Sequence, residues 1–236
     1  MTATGQTGQP PVLLLHGFAS TAEETFGQPG WIRALEQAGR RVIAPDLPGH
    51  GSSEAPLPQT RADLLSWAAD QAEAARRETG SVDVAGYSLG STLAWELALM
   101  PDAGVRRLVL AGVPRRDHLA DLAEGVTNES TLFLAKATDA AGDDEAQRRL
   151  EAVVKAAAED PFNGAERLAA EGPPEQLVLV AAGSQDQLAL MPAEVKAAAR
   201  LFGTSDPDGL VVQGRDHVSV LPSRELRKAV VDALGG

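Results

Sequence analysis

The stretch Val82-Asp83-Val84-Ala85-Gly86-Tyr87-Ser88-Leu89-Gly90-Ser91 constrains this chain more than any other. Its first residues read as a short strand and residues 91–100 read as a helix, so Gly86-Tyr87-Ser88-Leu89-Gly90 must turn sharply between two regular elements. Side chains two residues before and after Ser88 would collide in such a turn, and glycine at both places removes the clash. The turn lifts Ser88 off the strand end and aims the N-terminus of the following helix at whatever binds beside it. In strand–turn–helix context, G-x-S-x-G describes a nucleophile elbow. The alternative is a glycine-rich turn with a capping serine, and the rest of the chain has to decide between them.

Around this stretch, apolar runs alternate with helical patterns at short spacing. Strands are predicted at residues 12–15, 41–46, 107–112, 176–182 and 209–213, in addition to the one that enters the elbow. Helices are predicted at 29–39, from Thr60 as N-cap to Gly80, at 192–202 and at 222–234. That rhythm implies an α/β fold with a doubly wound, mainly parallel sheet. It breaks between Pro114 and Gly172, where no strand is evident and residues 144–159 are clearly helical. This segment holds thirteen acidic and seven basic residues, a net of −6 that is half the −12 of the whole chain. The reading is one domain: a polar leader at 1–11, a core at 12–113 and 173–236, and a helical insertion at 114–172.

Composition removes several function classes. There is no cysteine, which excludes disulfides, thiolate metal sites and a cysteine nucleophile. The charge of −12 argues against nucleic acid or an anionic membrane as partner. No signal peptide or long apolar run is visible, so a cytoplasmic protein is expected. Neither a cofactor motif nor a metal-ligand cluster is apparent, and the expected partner is a small-molecule acyl substrate. The residues give no indication of oligomeric state.

A serine hydroxyl needs a base to act as a nucleophile. Of the four histidines, His16 and His50 have simple readings as loop-fixing hydrogen-bonding residues, whereas His217 follows the last strand in Asp216-His217-Val218-Ser219. That loop belongs to the carboxyl edge of a parallel sheet, the edge that Ser88 also occupies. The base in turn needs an orienting carboxylate. Asp186, after the next-to-last strand, is the favoured one; Asp117 is its rival, and Asp216 is poorly placed beside His217 on an extended loop. Donors for a developing oxyanion are expected from the backbone N–H of Leu89 and of Phe18.

Five motifs in this order resemble the α/β-hydrolase family: Leu15-His16-Gly17-Phe18, residues 46–53 (DLPGHGSS), Gly86-Tyr87-Ser88-Leu89-Gly90, Gly183-Ser184-Gln185-Asp186 and Asp216-His217. The resemblance implies a six-stranded core, residues 114–172 as a cap over the active site, and a serine carboxylic-ester hydrolase with Ser88, Asp186 and His217 as catalytic residues. Serine argues against the members that use aspartate as nucleophile, such as epoxide hydrolases, and Tyr87 is the only tyrosine. The same motifs also resemble menaquinone-pathway lyases and carbon–carbon bond hydrolases, although the lyases usually carry Gly-Gly-Arg where this chain has Gly90-Ser91-Thr92. A third reading is a non-catalytic ligand-binding member of the fold.

Overall fold

The computed structural model describes residues 8–140, 142–202 and 209–235; residues 1–7 of the polar leader and the terminal Gly236 lie outside them. Every side chain of the first strand, β1 (Val12–Leu15), is buried, because both of its faces are covered. Val12 and Leu14 enter one apolar cluster with Trp31, Leu35, Leu226 and Val230, while Leu13 and Leu15 enter another with Leu64, Leu93 and Val195. This alternation places α1 (Trp31–Gln37) and α9 (Arg224–Leu234) on one face of the sheet. On the other lie α2 (Arg61–Arg76), α3 (Leu89–Leu99) and α8 (Pro192–Phe202).

The sheet contains β2 (Val42–Ile43), β1, β3 (Val82–Tyr87), β4 (Val105–Ala111), β5 (Leu177–Gly183) and β6 (Leu210–Val212), in that spatial order, and every pair is parallel. The chain moves outward from β1 to β2, then returns past β1 to start β3. Loops leaving β1 and β3 therefore diverge in opposite directions and leave a crevice at their carboxyl ends. His16-Gly17-Phe18 leaves β1 there, and Ser88 leaves β3.

Some boundaries differ from expectation. Only Val42 and Ile43 of residues 41–46 pair as strand. Beyond them Asp46 leaves the sheet to bind the loops around it, accepting from the N–H groups of Ala22 and Ser52. A π-helical turn at Glu23–Gly27 had no sequence signal. Between β4 and β5 the chain forms four helices, where the periodicity reveals one: α4 (His118–Ala123), α5 (Glu129–Asp139), α6 (Asp144–Ala158) and α7 (Gly164–Ala170). No helix among the described residues is long and apolar enough to cross a membrane.

The elbow glycines are required by packing against the neighbouring chain. A Cβ on Gly90 would overlap the Leu15 carbonyl and lie 2.6 Å from His16 O, and one on Gly86 would run into the Gly90 carbonyl. These are backbone atoms at the middle of the sheet and cannot swing aside. Gly90→Ala is expected to lower stability by about 3 kcal/mol, equivalent to about 10 °C in Tm for a chain of this size. A thermal melt within a degree of the parent would contradict this packing.

Candidate active site

Ser88 has φ 52° and ψ −119°, a conformation that L-residues rarely adopt. Its backbone is tied on both sides: its N–H donates to Ala111 O at 3.1 Å, and its carbonyl accepts from Ser91 N at 2.8 Å and Ser91 Oγ at 2.6 Å. The strain is thus held by β4 and by the first turn of α3. The Ser88 hydroxyl makes no hydrogen bond among the described residues, so it is free to turn toward a ligand.

His217 and Asp186 form a polar pair that packs against Tyr87, the residue before Ser88. Asp186 Oδ2 accepts from His217 Nδ1 at 2.8 Å, and Oδ1 accepts from Leu188 N and Ala189 N at 3.0 and 3.1 Å. The carboxylate is fully buried, with its lone pairs directed by three donors. A carboxylate partner puts the proton on Nδ1 and leaves the His217 Nε2 lone pair free. Tyr87 holds the histidine from below: its hydroxyl donates to His217 O, and the two rings are 5.2 Å apart. Burial pushes the Tyr87 phenol well above its ordinary range, so it remains a donor. Gly112, at φ 60°, leaves the space these rings need, since a Cβ there would meet Tyr87 at 3.0 Å and His217 at 3.2 Å.

The rival carboxylates have other partners. Asp117 is the N-cap of α4, accepting from Leu119 N and Ala120 N, and its second oxygen accepts from Phe162 N at 2.7 Å. Asp216 accepts from Val218 N, Ser219 N and Ser219 Oγ, which fixes the turn that presents His217. Neither is hydrogen-bonded to the imidazole. Among these acids it is Asp186 that the fold brings to His217.

The β1 loop approaches Ser88 closely enough that a Cβ on Gly17 would lie 3.3 Å from Ser88 Cβ. Phe18 N–H and Leu89 N–H, on the two sides of this approach, donate to no other group among the described residues. His16 braces the loop: its Nδ1 donates to Gly17 O at 2.8 Å and its Nε2 accepts from Leu47 N at 2.8 Å. His50 donates through Nδ1 to Pro48 O and packs edge-on against His16 and Phe18. Both rings are buried and neutral, in keeping with a loop-fixing role.

One cavity is lined by Ser88 and another by His217. The first, about 30 Å³, is also lined by Leu89, Arg61, His118, Leu134 and Phe162 among others. The second, about 250 Å³, is lined by His217, Phe133, Glu129, Gln185 and Val218 among others. Leu188 borders both. Arg61, His118 and Phe162 had no assigned role in the sequence. Arg61 did carry a signal: a cation in the first turn of a helix opposes the dipole, and here it is held by Glu96 at 2.9 Å.

A family model described as alpha/beta hydrolase fold matches residues 10–161. Among curated relatives, an epoxide hydrolase of Caballeronia sordidicola is 36% identical over 42% of this chain and 30% of its own length. A 2-hydroxymuconate semialdehyde hydrolase of Pseudomonas putida is 36% identical over 43% of this chain and 36% of its own length. The chain thus spans about a third of these relatives' length. The crystal structure of NosK from Streptomyces actuosus is 28% identical, with a TM-score of 0.66 over 95% of this chain and 96% of that one. With the parallel six-stranded sheet, the elbow at its middle and the family match over well over half its length, this chain belongs to the α/β hydrolase fold family.

Proposed function

We propose that the protein is a serine hydrolase that cleaves a carboxylic ester, or a related acyl bond, of a small and mostly apolar substrate through an acyl-enzyme. The observation that supports this reading is the Asp186–His217 hydrogen bond, with His217 packed on Tyr87, together with the following Ser88 held at φ 52°. Ser88 Oγ attacks the carbonyl carbon while His217 Nε2 takes the hydroxyl proton. Asp186 keeps Nδ1 protonated and stabilises the imidazolium. The N–H groups of Phe18 and Leu89 receive the developing oxyanion. His217 then gives its proton to the leaving group, water attacks the acyl-enzyme, and Ser88 is released. The acyl group occupies the small cavity on the Ser88 side, and the leaving group occupies the larger one beside the proton donor.

Ser88→Ala tests the mechanism, since alanine keeps the backbone strain and removes only the hydroxyl. Turnover of short p-nitrophenyl esters is expected to fall at least about 10⁴-fold, with loss of fluorophosphonate labelling. Retained turnover in the variant would exclude Ser88 as nucleophile.

The carbon–carbon bond hydrolase reading keeps the same residues, and the hydrolase name of the Pseudomonas putida relative favours it. In it the Ser88, His217 and Asp186 set serves mainly as a base. Turnover of a vinylogous diketone in preference to esters would establish that alternative.

A further inference from the structure

Two groups that line the Ser88 cavity make no hydrogen bond among the described residues: Arg61 Nη1 and His118 Nδ1. Arg61, at the start of α2, donates from Nε to Glu96 Oε2 at 3.0 Å and from Nη2 to Thr92 Oγ1 at 2.9 Å. Its Nη1 makes no hydrogen bond among the described residues and lies 3.8 Å from Asp117 Oδ2. His118 pairs through Nε2 with Leu188 O at 2.9 Å. A carbonyl only accepts, so Nε2 carries the proton and Nδ1 is an acceptor. That Nδ1 has no partner, although the residue is only 7% exposed. Both side chains line the cavity that contains Ser88.

The charge around the cavity is already balanced. Two guanidinium groups, Arg61 and Arg167, face two carboxylates, Glu96 and Asp117, with contacts from 2.9 to 3.8 Å. Both guanidiniums also lie over the Phe162 ring, 5.4 and 5.2 Å from its centre. Asp117 is further satisfied by three backbone N–H groups. A carboxylate ligand would therefore add an uncompensated buried charge. A neutral group that both donates and accepts would satisfy Arg61 and His118 together. Within a cavity of about 30 Å³ the smallest such group is a hydroxyl.

We propose that this cavity selects short acyl groups bearing a hydroxyl, which accepts from Arg61 and donates to His118. The proposal rests on the serine-hydrolase reading for the identity of the acyl site. It makes Arg61 and His118 specificity-determining residues.

The test compares kcat/KM for methyl lactate and methyl propionate, each divided by its rate with hydroxide to remove intrinsic reactivity. The lactate preference of the parent is expected to be about 10-fold or more, and to fall toward one in Arg61→Lys and in His118→Phe. Lysine keeps a cation opposite Glu96 but loses the fork, and phenylalanine keeps the ring volume. Each preference is a ratio on one protein, so a general loss of activity cancels. In parallel, binding of lactamide and propionamide to the Ser88→Ala protein is measured by calorimetry, with lactamide expected to bind about 10-fold tighter. Equal Ser88-dependent turnover of both esters, or equal amide affinities, would overturn the hydroxyl subsite and leave the hydrolase reading standing; a tightly held water filling the cavity would give that result. Tighter lactamide binding without Ser88-dependent ester turnover would do the reverse.

Discussion

Asp186→Asn is expected to lower kcat for ester hydrolysis about 10⁴-fold while the protein stays folded. The size follows from how Asp186 is bound. Its Oδ1 is engaged by Leu188 N and Ala189 N, at 3.0 and 3.1 Å, and these donors would keep the amide oxygen of asparagine. The amide NH₂ must then face His217 Nδ1, which at present donates to Oδ2 at 2.8 Å. A donor there forces the imidazole into the opposite tautomer, with its proton on Nε2 and no lone pair for the Ser88 hydroxyl. Steady-state kinetics with a thermal melt measures both halves of the expectation. Asp117→Asn supplies the contrast, because Asp117 has no hydrogen bond to His217. If the Asp117 variant lost as much kcat and the Asp186 variant little, the assignment of the orienting acid would be reversed.

Stability is expected to fall steeply as pH drops below about 6.5, well before the carboxylates titrate. Burial holds His50 at about 3 against an ordinary 6.5, with a smaller contribution from the repulsion that a protonated His16 would exert. Burial also lowers His16 and His118. The sign follows from proton counts. Between pH 6.5 and 3 the unfolded chain protonates these histidines and the native protein does not protonate His50, so acid favours unfolding. His50 alone accounts for about 1.4 kcal/mol per pH unit in this window, on the order of 5 kcal/mol by pH 3. Asp46, Asp63 and Asp216 are also shifted, but downward from 3.8, so their contribution is lost only below about pH 4. Urea midpoints at pH 4 to 7 separate the two groups. The slope should flatten in His50→Gln, where the buried ring that resists protonation is gone. An unchanged slope would mean that His50 takes up its proton without unfolding.

The core was legible because its strands have covered faces and short connections. Val12–Leu15 and Leu177–Gly183 read as continuous apolar runs, and the observed strands coincide with them almost residue for residue. At β2 the predicted strand, residues 41–46, overreached: only Val42–Ile43 pairs, and beyond it the chain leaves the sheet, with Asp46 accepting from loop N–H groups. The four-helix segment after β4 was opaque for another reason. α4 and α7 are only six and seven residues long, too short for a periodicity to emerge.

The sequence by itself determined the elbow, the alternation of strand and helix, and the placement of Ser88, Asp186 and His217 after strands on one sheet edge. Each of these is a local matter of glycine spacing, apolar period and turn residues. Only the tertiary structure decided which acid reaches the imidazole, since Asp186 and His217 are 31 residues apart and Asp117 meets its partners through the cap of α4 and the Phe162 N–H. It also decided that Arg61 and His118 share a cavity with Ser88. Such pairings depend on distances through space between segments remote along the chain, and no local pattern of residues encodes them.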